Sequence, residues 1–215
     1  MKKLNIGQFK LIFWDFDGVI KDSVGVKTDA FIELFKPYGD DICRRIFNHN
    51  ATNGGMSRFE KIPLYLQWSN ETVDDEKIEK FCKKFSSLVE KKVIDSSWVP
   101  GVENYLRNDE YAQTFVVISG TPQDELKRII SALDLTGCFN SIHGSPTSKF
   151  IGIEKSLMKY KVDKKDCLII GDMKVDYEAA VKTDISFLLR KHALNKQAIP
   201  DYKGDSFEDF IKGIN

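Results

Sequence analysis

Apolar residues follow two rhythms along this chain, and their alternation predicts an α/β protein. Leu11 to Trp14, Phe115 to Ile118 and Cys167 to Ile170 are compact apolar runs without polar alternation, the pattern of parallel strands covered on both faces. Ser141 to Gly144 and Ile185 to Leu189 are weaker strand signals. From Val24 to Lys36 the residues Val26, Ala30 and Leu34 recur at helical spacing with Phe31 and Phe35 beside them, and Pro37 and Gly39 stop the helix. Asp40 to Phe47 predicts a second short helix, and Asn48 to Gly55 a polar, glycine-containing loop. Ser57-Arg58-Phe59-Glu60 has the spacing of a capping box, and Pro63 is expected to kink or shorten the helix that follows. Between Asp74 and about Lys91, Ile78, Phe81, Phe85 and Leu88 form one buried stripe beneath many charges. Residues 23–97 therefore read as an all-helical block inserted into an α/β core made of 1–22 and 98–215.

In the second part of the chain, Pro100-Gly101-Val102 marks the return to the core and a short helix through Leu106. Thr121 fits an N-cap and Pro122 a first helical position, with Asp124 at capping-box spacing before the stripe Leu126, Ile129, Ile130 and Leu133. Phe150, Ile153, Leu157 and Tyr160 predict another helix, and Ser206 to Ile211 a short terminal one.

The strand ends carry the candidate chemistry. In open parallel sheets, sites gather at the carboxyl ends of the strands. Asp15 and Asp17 follow the first apolar run and would leave an extended backbone on the same face, with Gly18 allowing a tight turn beside them. Ser119, with the amides of Gly120 and Thr121, would sit at a helix N-terminus suited to an anion. Lys149 falls in the first turn of its helix, where a cation opposes the macrodipole, so helix stability does not explain it. Asp172 ends the third apolar run and Asp176 lies one helical turn further on. Each has an ordinary alternative: a surface Asp-Gly turn, strand-to-helix punctuation, a solvated lysine. Together they describe carboxylates converging without a histidine or cysteine ligand, which suits a hard cation such as Mg²⁺, beside a lysine and a hydroxyl that suit a phosphate.

Composition narrows the function classes. The 215 residues balance 32 basic against 32 acidic side chains, with 42% hydrophobic and 30% charged residues. Such a chain buries a sizeable core and offers no disordered tail or polyanion-binding surface, so nucleic acid is not an expected partner. Cys43, Cys82, Cys138 and Cys167 form no Cys-x-x-Cys pair and His49, His143 and His192 share no ligand spacing, which argues against a zinc site or disulfide framework. No apolar run has signal-peptide or membrane-spanning character, so a reducing, cytoplasmic location is expected.

Taken in order, Asp15-Phe16-Asp17-Gly18-Val19, Ser119 within Val-Ile-Ser-Gly-Thr, Lys149, and Gly171-Asp172 with Asp176 resemble the four motifs of the haloacid dehalogenase-like (HAD) hydrolases. The inserted helices are similar to the helical caps of the phosphoglycolate phosphatase and beta-phosphoglucomutase-like members. The resemblance implies a Rossmann-like parallel sheet and a phosphatase that forms an aspartyl-phosphate. Asp15 would be the nucleophile and Asp17 the general acid and base. Asp15, the Asp17 carbonyl and Asp172 would hold Mg²⁺, and Asp176 would position Lys149 or a metal-bound water. Ser119 and Lys149 would bind phosphoryl oxygens, assisted by the amides of Phe16, Asp17 and Gly120. Gly171-Asp172 departs from the Glu-Asp pair of some mutase and phosphonatase relatives. A phosphomutase is the nearest rival, and a non-catalytic phosphate-sensing or partner-binding protein the rival from another class.

The segment Asn53 to Arg58 is also similar to family phosphatases encoded with bacterial surface-polysaccharide pathways. That implies a small phosphorylated metabolite: a sugar, polyol or amino-alcohol phosphate, or phosphoglycolate. Gly54 and Gly55 permit a tight turn, and Arg58 and Lys61, three apart on the next helix, could project together toward a leaving group. The alternative there is an interhelical loop followed by a solvated basic face.

Overall fold

A computed structural model describes residues 4–213 apart from 55, 109, 111, 197, 198 and 201. Six parallel strands form one sheet: β1 (Leu11–Trp14), β2 (Thr114–Pro122), β3 (Ser141–Ser145), β4 (Cys167–Gly171), β5 (Ser186–Arg190) and β6 (Ser206–Phe207), in the order β3-β2-β1-β4-β5-β6. β1 is central, and its residues alternate between two covered faces. Ile12 and Trp14 join Phe115, Val117, Leu168 and Ile170 on one side, while Leu11 and Phe13 join Val116, Ile118, Cys167 and Ile169 on the other. Burial on both faces is why these strands carry no polar alternation.

Between β1 and β2 come α1 (Val24–Phe35), α2 (Asp40–Thr52), α3 (Arg58–Trp68), α4 (Asp75–Asp95) and the short α5 (Val102–Leu106). The first four pack around aromatic side chains. Phe31 stacks on Phe85 at 4.0 Å between centroids, and Tyr65 meets Phe31 edge-on at 5.3 Å. The two crossings between this helical block and the sheet run side by side: the Asp22 amide donates to the Ser97 carbonyl at 2.8 Å and the Val99 amide to the Ile20 carbonyl at 3.0 Å. Beyond β2, α6 (Gln123–Ala132), α7 (Lys149–Tyr160), α8 (Lys174–Thr183) and α9 (Phe210–Gly213) complete the layers. No helix among the described residues is long and apolar enough to cross a membrane.

Several boundaries differ from expectation. α2 runs on to Thr52 through the segment expected as a loop, because Asn50 is buried there with its amide donating to the Ile46 carbonyl and the Tyr65 hydroxyl, both at 3.0 Å. α3 passes through Pro63 to Trp68, and its start is the expected box: the Ser57 amide donates to Glu60 Oε2 at 3.1 Å and the Phe59 amide to Ser57 Oγ at 3.3 Å. β2 continues through Pro122, so Thr121 is not a cap and α6 begins at Gln123. Ser206 and Phe207 are a strand paired with β5, and the terminal helix starts only at Phe210.

Candidate active site

The sheet register aligns the strand ends. Trp14 pairs with Val117 on one side and Ile170 on the other, so Asp15, Ser119 and Asp172 all lie within two residues of the same line. The Asp15 amide still donates to the Ile170 carbonyl at 2.9 Å, which fixes the backbone beneath its carboxylate. The chain then turns at Gly18, whose φ of +81° is left-handed; a Cβ there would lie 2.3 Å from Asp172 Oδ2, so this turn against Asp172 needs glycine.

Lys149 opens α7 behind the Ser148 N-cap and bridges two carboxylates. Its Nζ lies 2.9 Å from Asp15 Oδ1 and pairs still more closely with Asp176 Oδ1. Asp176 Oδ2 accepts from the Met173 amide at 3.1 Å, so both its oxygens are committed. Asp15, Asp172 and Asp176 are buried, and each offers an oxygen within 4.8 Å of the others. Burial lifts all three carboxyls, and Lys149 only partly opposes it: Asp15 rises to about 7 and Asp172 well above the ordinary range. Burial alone would lower the Lys149 ammonium, but Asp15 and Asp176 outweigh it and raise it.

Asp172 is held from behind. Leu194 donates its amide to His192 Nδ1 at 3.2 Å, which places the ring proton on Nε2, and Nε2 donates to Asp172 Oδ2 at 2.8 Å. Burial and then Arg190 push this imidazole down to about 4, so it is a neutral donor. Asn195 Nδ2 ties the Asp172 and Arg190 carbonyls together at 2.7 Å each. Asp172 Oδ1 is buried and has no partner among the described residues. A buried, unpartnered carboxylate oxygen beside two further carboxylates is a donor set that fits a hard divalent cation.

Asp17 faces the helical block rather than this cluster. Its carboxylate pairs with Lys27 of α1 and accepts from Ser23 Oγ at 2.6 Å and Thr121 Oγ1 at 3.1 Å. Burial pushes this carboxyl up, but Lys27 and the two hydroxyls outweigh it and hold it below the usual range. The space between Asp15, Asp17 and the block, walled by Lys27, Asn50, Phe31 and Lys61, has a volume of about 30 Å³, room for one or two waters. A larger cleft of about 450 Å³ meets it at Met56, Ser119 and Gly120 and reaches Lys149.

The sequence-predicted residues thus fall into separate groups. Asp15, Lys149, Asp172 and Asp176 are brought together, and Ser119 and Gly120 line both spaces. The Phe16 amide is engaged by Asp15 Oδ1 at 2.8 Å, and the Thr121 amide by Ser119 Oγ at 3.1 Å. Thr121 therefore serves Asp17 through its hydroxyl, not an anion through a helix-terminal amide. Gly55 lies outside the described residues. Arg58 and Lys61 form no solvated face; they are 4% and 2% exposed. The Arg58 guanidinium is committed to Glu125 of α6, at 2.8 and 2.5 Å, and to Ser86 of α4 at 2.5 Å, so it is not free to project toward a leaving group. Among the described residues Lys61 Nζ bonds only neutral oxygens, Asn50 Oδ1 at 2.5 Å and the Gly54 carbonyl at 3.5 Å, and burial followed by the Lys27 charge holds it down to about 7.

Lys27, His192 and Asn195 escaped the sequence reading. His192 follows β5 by two residues, and the rule that singled out the other strand ends would have found it. Lys27 sits on a helix whose apolar stripe gives no reason to single out that position.

A family model described as haloacid dehalogenase-like hydrolase matches residues 12–189. The chain belongs to that family. Solved HAD structures share its fold at low identity. A haloacid dehalogenase-like family hydrolase from Streptococcus pneumoniae is 20% identical, with 93% of each chain covered and a TM-score of 0.68. A protein described as a predicted phosphoglycolate phosphatase from Haemophilus somnus is 17% identical, covering 94% of this chain and 95% of its own, with a TM-score of 0.72. A beta-phosphoglucomutase from Clostridium difficile is 16% identical over 88% of each chain, with a TM-score of 0.71. No curated protein matches the sequence. In this HAD hydrolase Asp15, Asp172 and Asp176 form a buried acidic cluster.

Proposed function

We propose that this HAD hydrolase is a Mg²⁺-dependent phosphomonoesterase acting on a small phosphorylated metabolite through an aspartyl-phosphate on Asp15. The observation that carries the reading is the buried Asp15, Lys149 and Asp172 constellation with one Asp172 oxygen unpartnered. A sugar, polyol or amino-alcohol phosphate, or phosphoglycolate, fits the class; a small-molecule partner, not nucleic acid, fits the balanced charge, and a cytoplasmic location fits the four scattered cysteines. Residues 23–97 are the cap of this reading and 1–22 with 98–215 its core.

Asp15 attacks phosphorus, the bond from phosphorus to the leaving oxygen breaks, and Asp17 gives that oxygen a proton. Asp17 then takes a proton from water as the water attacks the acyl phosphate, which frees Asp15 and inorganic phosphate. Ser119 and Lys149 hold phosphoryl oxygens, and Asp176 positions Lys149 through its short contact. Asp15, the Asp17 carbonyl and Asp172 would hold Mg²⁺, which supplies charge neutralisation for phosphoryl transfer. His192 and Asn195 fix the orientation of Asp172. The 30 Å³ space is continuous with the 450 Å³ cleft at Ser119 and Gly120, through which a phosphoester reaches Lys149. Release of Lys27 would free Asp17 from the cation that keeps it ionised, which lets it carry the proton it must donate.

Chelation is expected to stop phosphate release and Mg²⁺ to restore it. Ca²⁺ is expected not to substitute, since its larger, looser coordination allows Asp15 to bind through both oxygens. Phosphate release from a panel of phosphomonoesters measures this, and full activity in chelator overturns the metal assignment.

A further inference from the structure

Of the three cations that wall the inner space, two are paired: Lys27 with Asp17 and Arg58 with Glu125. Lys61 is buried as deeply as any of them, yet among the described residues it makes no ion pair; its oxygens come from Asn50 and Gly54, and the Phe31 ring lies 5.4 Å away. An ammonium has three donors, and neutral acceptors do not compensate its desolvation, which costs several kcal/mol in a protein interior. A methionine would pack the same volume without that cost. The ammonium is also held in place: Asn50, itself anchored to Ile46 and Tyr65, presents its Oδ1 to Lys61 at 2.5 Å. The same space is walled by Asp15 and Asp17, so a group on the leaving side of a phosphoester at Asp15 lies toward Lys61.

We infer that Lys61, held by Asn50, binds a second anionic group on the leaving-group side of the substrate, a carboxylate or a second phosphate. The inference rests on the phosphomonoesterase reading and narrows its substrate class: acids are favoured over neutral polyols, and amino alcohols are disfavoured. Lys61 is a specificity residue, remote from the reacting atoms.

The test compares kcat/KM for short phosphomonoesters of one carbon skeleton ending in a carboxylate, a second phosphate, an uncharged hydroxyl or an amine. The ratio between substrates is unaffected by the fraction of enzyme that is folded, so it separates recognition from stability. At least one anionic substrate is expected to exceed the hydroxyl compound by about tenfold or more, the usual effect of one charge-assisted hydrogen bond, chiefly through KM. Which anion does so identifies the group. In Lys61→Met the ratio is expected to fall to near one, and in Lys61→Arg to be partly kept. Equal rates on anionic and neutral substrates in the wild type, preference for the amine, or an unchanged ratio in Lys61→Met overturns the inference. If no phosphomonoester is hydrolysed, the phosphomonoesterase reading fails, and the subsite is then read from thermal shift with a small dicarboxylate and with inorganic phosphate. A shift that Lys61→Met abolishes upholds the subsite; no shift, or one that Lys61→Met leaves intact, overturns it.

Discussion

Replacing Asp15 with asparagine is expected to lower turnover by at least about 10⁴-fold, the scale seen when a nucleophile that works as part of a unit is removed. The amide keeps the shape of the side chain and its place beside Lys149, so the fold survives, but it lacks the nucleophilic oxygen that forms the phosphoryl bond. The same variant is expected to be more stable than the wild type without metal at neutral and alkaline pH. Burial raises the Asp15 carboxyl from 3.8 to about 7, against the partial opposition of Lys149. The folded protein therefore binds this proton more tightly than the unfolded chain does. The associated stability is fully present below about pH 4 and is lost as the pH rises through about 7. Asparagine has no such loss, so the gap between the melting temperatures of variant and wild type in chelator should widen from pH 5 to pH 8, and Mg²⁺ should narrow it by neutralising the wild-type cluster. Turnover near the wild-type level removes Asp15 as nucleophile. A gap independent of pH removes the account of its burial.

Arg58→Ala is expected to destabilise the protein by about 3–5 kcal/mol, because it leaves the Glu125 carboxylate buried without its cation. The pair is 3% exposed on each side and doubly hydrogen-bonded, so solvent screening does not rescue it. For a chain of this length the melting temperature would fall by roughly 6–20 °C. Arg58 of α3 reaches Ser86 of α4 and Glu125 of α6, so its loss also loosens the helical block against the sheet layers. Rates on substrates of every leaving group should fall by a common factor, the opposite signature to that of Lys61. Replacing both partners, Arg58→Met with Glu125→Leu, should recover most of the stability, since an apolar pair of similar volume avoids the desolvation of either charge. A melting temperature within about 2 °C of wild type for Arg58→Ala alone would remove the pair as the clamp between the layers.

The parts of this molecule legible in its sequence are those set by local pattern. Leu11 to Trp14, Phe115 to Ile118 and Cys167 to Ile170 are read correctly as strands because burial on both faces forces an unbroken apolar run, and parallel pairing then forces their ends together. The Ser57 box is legible because its partners lie within one helical turn. What was missed depends on residues far apart in the chain. Asn50 extends α2 because Tyr65 meets it, and β6 exists because β5 offers a free edge to two residues, Ser206 and Phe207. Arg58 reads from the sequence as a cation offered to a leaving group, since nothing local announces Glu125, 67 residues away. Lys27 looked ordinary for the same reason: its partner Asp17 lies across the turn that joins sheet and block.

The central place of β1 bears on how the chain is made. Its neighbours in the sheet are β2 and β4, so β1 finds its partners only after residues 114 and then 167 have followed. At typical elongation rates the wait from residue 14 to residue 171 is roughly 8–30 s. Until residue 122 has been made Leu11 to Trp14, fully buried in the finished fold, has neither of its pairing partners, and until residue 171 it has only β2. The helical block, by contrast, is translated whole before β2, and its aromatic cluster closes on contacts within residues 31–85. Folding of the sheet must wait for the later strands, and truncation before β4 leaves an apolar edge beside β1 open to self-association.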